Sequence, residues 1–490
     1  GHGFRELGRA GALLVAVSVA LVIAVGVLGP SATQPPLGGG YGQPPYSLYV
    51  LPGAWLVTAA LLAALVVGAV GLGLALWATA RGWVPSPRRV TLWGTAATAV
   101  LVMLPPMGSP DFLGYAAYGR AVTLGLNPYA TAPQDLAAMG DPIGRAAEDP
   151  WTGVASVYGP VATAEQALAS FIGGASPRLT VFALSVMNAL AFVIAGLLLL
   201  AMFRGDRPRQ VRAALLWTAN PLLLFELVSG AHVDAVMLVF GVAAVAALGR
   251  TGIGSGALFG MAAAVKIPFV VAGPGLLWGA VRRSRRTLIA VIVGVGLVTL
   301  IAYAVAGPQI IGQINRISGY VSLGSPWHFV AVPLDAAVGG DVSRGVIRTL
   351  SYACMIGAAV LFLRGLPLTR GVRPAAGRVM LAFGLAWLVT APYTLPWYDA
   401  FAWAFLPFVP RSRFDALLLV RTTVLAVAYI PGRIHVPADV TWWMVDMLRG
   451  QAVPAAMTLL SVAFLLSAAR PRLPLSSGAA RLFKPGAAAR

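Results

Sequence analysis

The chain has 490 residues, 58% of them hydrophobic and only 10% charged, with a formal net charge of +19 and a mean hydropathy of +0.81. Water-soluble globular proteins carry about 25% charged residues, which excludes a soluble enzyme, and disorder needs a low hydrophobicity that this chain lacks. Apolar runs of roughly 20 residues recur from end to end, so the expected fold is an all-α polytopic membrane protein.

The cations gather in short clusters between those runs: Arg81, Arg88 and Arg89; Arg204, Arg207, Arg209 and Arg212; Arg282, Arg283, Arg285 and Arg286; Arg364, Arg370, Arg373 and Arg378; and Arg470 onward. That is the pattern of cytoplasmic loops, and it argues against a nucleic-acid partner. The single cysteine, Cys354, leaves no disulfide or cysteine-based metal site within the chain.

With the basic clusters fixing the cytoplasmic ends, the spans follow in order. Residues 8–30 run outward as a retained first span, 51–80 return to Arg81, and 90–107 run outward to Pro105-Pro106. An outer loop, 108–177, carries aspartates, prolines and aromatics; within it a helix over 160–173, with Glu165 and Gln166, is expected on the outer surface. Residues 178–203 return, 212–228 go out and 235–249 come back to Arg250. Both ends of the next stretch, Arg250 to Arg282, are basic, so it must turn near Lys266 and Pro268. Each half is about 15 residues or roughly 22 Å, short of the usual ~30 Å hydrocarbon core, which puts the lysine in a thinned or protein-lined pocket. Residues 287–306 go out, a polar loop occupies 307–343, and 345–363 return. Then 378–392, 398–410, 415–430 and 451–469 alternate, for fourteen spans with both termini cytoplasmic.

On this threading most of the unusual polar residues gather at the outer membrane boundary. Asp111 follows the third span; Glu226, His232 and Asp234 flank the turn between the fifth and sixth; Lys266 is at the hairpin tip. Arg316, His328, Tyr393, Trp397, Tyr398, Asp399, Arg433 and His435 fall on outer loops or edges. A charge costs about 2.5–3.5 kcal/mol at a helix centre, so such residues usually serve a pathway or a site. Each also has a plainer reading: a turn cap for Asp111, a snorkelling Lys266, a hydrogen-bonded His232–Asp234 pair, aromatic-belt anchors in Trp397 and Tyr398, and outer arginines paired with carboxylates.

Transfer of a sugar from a lipid phosphate would use this set. One carboxylate suffices as base for the acceptor hydroxyl, and the departing phosphate needs a cation at headgroup depth, which Lys266 would supply. No nucleotide is implied, because there is no Walker sequence and no glycine fingerprint after a strand.

The string Gly108-Ser109-Pro110-Asp111, continuing through Tyr115-Ala116-Ala117-Tyr118-Gly119-Arg120 to Gly125-Leu126-Asn127-Pro128-Tyr129, resembles the first outer loop of actinobacterial polyprenol-phosphate-mannose-dependent α-1,6-mannosyltransferases. These are GT-C-fold enzymes of lipomannan and lipoarabinomannan assembly. Asp149-Pro150-Trp151 with Val157-Tyr158-Gly159-Pro160, the block from Asn220-Pro221 to Asp234, and Gly260 through Lys266-Ile267-Pro268 resemble further blocks in the same order, as does Pro392-Tyr393-Thr394-Leu395-Pro396-Trp397-Tyr398. The resemblance covers roughly residues 105 to 400. It implies that Asp111 is the catalytic base, that the site faces the periplasm, and that a β-linked lipid-phosphate mannose becomes an α-mannoside on a lipid-anchored mannan.

On that reading Lys266 and Arg316 hold the donor phosphate, while Tyr115, Arg120, Tyr158, Glu226, His232, Asp234, His328, Trp397 and Tyr398 bind substrate. The chain departs from the family at Val233, where a polar residue is usual, at Glu226, where a histidine is, and at Leu113 and Gly114, where aromatics are. The implied organisation is two N-terminal helices (1–89), a catalytic core (90–410) with outer loops 108–177 and 307–343, C-terminal helices (411–470) and a basic cytoplasmic tail (471–490). The residues themselves leave other readings open: transfer of arabinofuranose from its lipid phosphate, a lipid-linked saccharide flippase or transporter, or a non-catalytic subunit that binds such a lipid. Asp111, Glu226 and Asp234 could also collect a divalent cation, although no ligand spacing specifies one.

Overall fold

A computed structural model describes residues 2–40, 42–433 and 438–470; His435 and the expected basic tail lie outside them. Among the described residues the secondary structure is helical, with no strand. Eight helices are long and apolar enough to cross a membrane: Gly3–Leu28, Ala54–Ala80, Pro177–Met202, Arg207–Ser229, Arg285–Ala306, Gly340–Gly365, Val372–Thr390 and Ala438–Ala469. Their outward surfaces are apolar. On the helix Arg285–Ala306, the side chains of Ile289, Ile292, Val293, Leu297, Leu300 and Val305 are exposed, a stripe suited to lipid and not to water.

Shorter apolar helices supply the rest and depart from the regular alternation of fourteen spans. The helices that place the site are numbered here in chain order. α1 (His2–Leu28) and α2 (Ala54–Ala80) pack as a pair, followed by α3 (Pro87–Val102). The outer loop is largely helical. α4 (Asp111–Thr123), which the sequence reading left as loop, packs on α5 (Pro160–Gly173), and α5 packs on α6 (Pro177–Met202). α5 has its expected limits but is set into the bundle and not merely laid on it. Gln166 is buried, and the Asn188 amide of α6 donates to Glu165 Oε1 at 3.2 Å.

The expected span at 212–228 is interrupted. Asn220 caps a new turn at Pro221, and residues Leu224–Ser229 follow as a π-helical turn carrying Glu226. The hairpin is as expected: α8 (Gly252–Val265) ends at Lys266, a 3-10 turn spans Ile267–Ala272, and α9 (Gly273–Arg283) leads away; α7 (Asp234–Ala247) precedes it. α8 crosses α10 (Arg285–Ala306) closely because small residues face each other there. A Cβ on Gly256 would overlap the Val291 carbonyl, and one on Gly294 the Ile253 carbonyl.

The stretch 307–343, read as a polar loop, contains α11 (Gln309–Ile317) and α12 (His328–Val338). α13 (Gly340–Gly365) and α14 (Val372–Thr390) pack together, and α14 also packs on α9. The expected span 398–410 is a short, fully buried element. It is broken at Pro396 and Pro407, with helix only over Ala400–Phe405. It is anchored by a buried ion pair between Asp399 and Arg421 of α15 (Arg413–Tyr429), with Thr422 Oγ1 donating to the other Asp399 oxygen at 2.8 Å. Arg421 also donates to the Thr394 hydroxyl and the Leu388 carbonyl, both at 2.8 Å. Two full charges are thereby paired inside the bundle, and the Trp397-Tyr398 turn is fixed in place.

Candidate active site

α4 begins at Asp111. Its backbone N–H donates to Ser109 Oγ at 3.2 Å, and the turn at Pro110 sends the carboxylate inward. The side chain is 8% exposed, Oδ1 has no hydrogen-bond partner, and Oδ2 lies 4.0 Å from His232 Nδ1. Burial pushes this carboxyl up to about 6; the neighbouring Asp234 charge adds to the rise, while Ser109, Lys266 and Trp151 draw it back. An acid with a free oxygen, poised near neutrality, is suited to taking a proton from a hydroxyl.

His232 is sandwiched. Its ring stacks on Trp397 at 3.6 Å between centroids, and its Nδ1 is 3.4 Å from the Tyr115 hydroxyl, which in turn accepts from the Tyr158 hydroxyl at 3.4 Å. Asp234, for which the plainer reading was a hydrogen bond to His232, is instead turned to Lys266, whose ammonium donates to both its oxygens at 3.0 and 2.9 Å. The Tyr398 ring lies 4.2 Å from the same ammonium. Among the described residues no group of three or more histidines, cysteines or acids is close enough to hold a cation.

Several of these side chains, though neither His232 nor Asp234, border two adjoining hollows. The smaller, of about 60 Å³, is walled by Asp111, Gly114, Tyr115, Trp151, Tyr158 and Trp397 among others. The larger, of about 370 Å³, is an apolar groove with Lys266 and Arg348 on its walls. Val157, Tyr158, Ile317, Tyr393 and Tyr398 line both. The carboxylate therefore lies on one side of an aromatic constriction and the cations on the other.

Gly159 keeps Tyr158 at that constriction. Its N–H donates to the Val265 carbonyl at 2.9 Å, immediately before Lys266, and a Cβ would overlap the Ala264 carbonyl. Gly159→Ala is expected to lower stability by about 1–3 kcal/mol through overpacking, seen as a reduced thermal unfolding midpoint of the purified chain.

Four expected site residues lie elsewhere. Arg120, at the far end of α4, pairs with Asp141 at 2.7 Å and braces the outer loop. Arg316 is exposed on α11, where Ile314 and Ile317 face the groove in its place. His328 borders a separate hollow with Asp335 and Arg344 that shares only Tyr320 and Tyr393 with the groove. Glu226 is buried in its π turn with Oε1 unpartnered, outside the walls of both hollows. Sequence reading passed over Arg348 of α13, which lines the groove and donates to Ser318 Oγ at 3.1 Å. Its one signal was a cation next to Ser351 and Tyr352 at the outer end of an apolar helix.

The family model described as alpha-(1->6)-mannopyranosyltransferase, N-terminal domain, matches residues 6–282, more than half of the chain. This chain belongs to that family. It is also similar to alpha-(1->6)-mannopyranosyltransferase B of Corynebacterium glutamicum, 29% identical over 145 residues, which make up 30% of this chain. The match spans only 24% of that relative's length. The mannopyranosyltransferase-family segment carries Asp111, Tyr115, Tyr158, His232, Asp234 and Lys266, whereas Arg348, Tyr393, Trp397 and Tyr398 come from the chain beyond it. The acid and the lysine thus belong to the matched part, and the later helices close the walls around them.

Proposed function

We propose that this protein is a GT-C glycosyltransferase of the plasma membrane that moves mannose from polyprenyl-phosphate mannose to a lipid-anchored mannan, with inversion, forming an α-1,6 linkage. The observation that carries this reading is the pair of adjoining hollows: a buried carboxylate with a free oxygen in an aromatic chamber, next to an apolar groove bearing two cations. The groove would take the isoprenoid chain with its phosphate near Lys266 and Arg348, and the mannose would sit at the constriction between Tyr158, Tyr393 and Tyr398. Asp111 accepts the acceptor hydroxyl proton as that oxygen attacks C1, and the C1–O bond breaks with its electron pair leaving on the lipid phosphate. His232, Tyr115 and Trp397 shape the sugar side. In this reading the site opens to the outer face, both termini are cytoplasmic, and residues 90–410 form the catalytic core.

The test is transfer by the purified chain from synthetic polyprenyl-phosphate mannose to a short α-mannoside. Formation of an α-1,6-linked product supports the reading. Exclusive use of the arabinofuranose donor would reassign the sugar, and no transfer with either donor would overturn the enzymatic role.

Arg348 takes the phosphate role in place of Arg316 for an electrostatic reason. The Lys266 charge is already offset by Asp234, so a phosphate entering the groove meets its uncompensated positive charge at Arg348, whose recorded partner is a serine hydroxyl. A hydrogen bond to a charged group contributes about 1.5–3 kcal/mol, so Arg348→Gln is expected to raise the donor KM roughly tenfold to a hundredfold. Arg316→Gln should leave it within about twofold, as surface substitutions usually do. Steady-state kinetics over a donor series reads both.

A further inference from the structure

A second hollow, of about 450 Å³, lies at the opposite end of the bundle and plays no part in the reading above. α7 starts at Asp234, beside Lys266, and runs about 20 Å before ending near Gly249; α14 starts at Val372 and runs about 28 Å to Thr390, which lines the groove. Gly249 and Val372 both border the second hollow, together with Met202, Phe203, Arg373 and Phe408. Arg209 and Pro374 complete its walls.

Its charge is one-sided. The Arg373 guanidinium lies against Gly249, where an added Cβ would come within 2.6 Å of Nη2, and Arg373 Nε is buried without a hydrogen-bond partner. The charges that act on Arg373 are Arg250 and Arg283, both of its own sign, and Arg283 is held in place by donating to the Leu248 carbonyl at 2.5 Å. Of the nearby acids, Asp206 pairs with Arg209 at 3.2 Å and Asp415 with Arg212 at 2.5 Å. Against the cations stands an apolar wall, with the rings of Phe203 and Phe408 packed edge to face at 5.4 Å.

We propose that this hollow binds the phosphate of an anionic phospholipid headgroup, with Arg373 as the principal donor and Phe203, Phe408 and Met202 against the glycerol and first methylenes. An anion there relieves the repulsion among Arg373, Arg250 and Arg283 and satisfies the orphaned Nε. Basic pockets between spanning helices characteristically hold such headgroups, and the fork of an arginine matches two phosphate oxygens. A soluble phosphate shares the anion chemistry, but the apolar half of the wall favours the lipid. The proposal does not depend on Asp111 or on sugar transfer.

The experiment is thermal unfolding of the purified full-length chain in neutral detergent with phosphatidylglycerol, phosphatidylcholine or inorganic phosphate added. Phosphatidylglycerol is expected to raise the midpoint by roughly 2–4 °C and phosphatidylcholine not to. Arg373→Gln should remove most of that rise, and a control lacking Arg88 and Arg89, both replaced by Gln, should keep it. Gly249→Ala, which preserves every charge but displaces the guanidinium, should also remove it, so the test survives if the first variant folds poorly. An equal rise in wild type, Arg373→Gln and Gly249→Ala would overturn the site, and a full rise with inorganic phosphate alone would overturn the lipid assignment.

Discussion

Asp111→Asn is expected to cut sugar transfer by roughly 10²–10⁴-fold in a protein that still folds, the usual weight of a positioned general base. Asparagine matches aspartate in shape. The bond from the residue-111 backbone N–H to Ser109 Oγ does not involve the side chain, so the turn that starts α4 is preserved. The change removes only the group that can take a proton, at a position where Oδ1 is turned to no protein partner. Asp111→Glu should also fail, because one extra methylene displaces the carboxylate by more than about 1 Å from the position the acceptor hydroxyl needs.

The pH profile gives the same residue a signature that a structural role would not produce. Burial holds the Asp111 carboxyl up at about 6. The base works only when ionised, so kcat/KM for the wild type should climb as pH rises through about 6 and level off above it. The residual rate of the Asn variant should be flat across that range. Because the Ser109 hydrogen bond lowers the value, Ser109→Ala should move the midpoint upward. Transfer at wild-type rates by Asp111→Asn would remove the aspartate from the reaction.

How far the fold could be read from the sequence depends on which force sets each element. Hydrophobic runs bounded by arginines identify long helices well, because spanning a bilayer demands uninterrupted apolar length. Hence α1, α2, α6 and α10 fall close to their expected limits. The same signal misleads where an apolar segment is buried in protein. Residues 398–410 are as greasy as a span, yet Pro396 and Pro407 cut them short, and Asp399 is satisfied by Arg421, twenty-two residues further on in the chain. α4, buried along most of its length, and the nine-residue α11 lack the length that a span search seeks and read as loop.

The site divides in the same way. Asp111, Lys266, Tyr158 and Trp397 were legible because charged and aromatic residues stand out at the ends of apolar runs. The partner of Asp234 was not, because His232 is only two positions before it in the chain whereas Lys266, its actual partner, is thirty-two away. Arg348 was hidden among the ordinary cations of a helix end; only the groove distinguishes it from Arg344, which pairs with Asp341.

Lys266→Met is expected to cost both stability and transfer, and the two losses can be separated. The lysine and Asp234 are a buried pair, with the carboxylate 2% exposed at the start of α7. Removing one partner of such a pair typically costs about 3–5 kcal/mol, because the other charge is left without compensation. The unfolding midpoint should fall sharply. Adding Asp234→Leu removes the stranded carboxylate, and replacement of a whole buried pair by apolar side chains is often neutral or favourable, so most of the lost stability should return. Transfer should not return, because the cation at the mouth of the groove is still missing as the lipid phosphate departs. Asp234→Asn points the other way: it leaves Lys266 in place with its charge no longer offset, so donor KM should fall even as the unliganded protein becomes less stable. Recovery of wild-type transfer in the Lys266→Met, Asp234→Leu protein would reduce the lysine to a structural role and leave the phosphate to Arg348 alone.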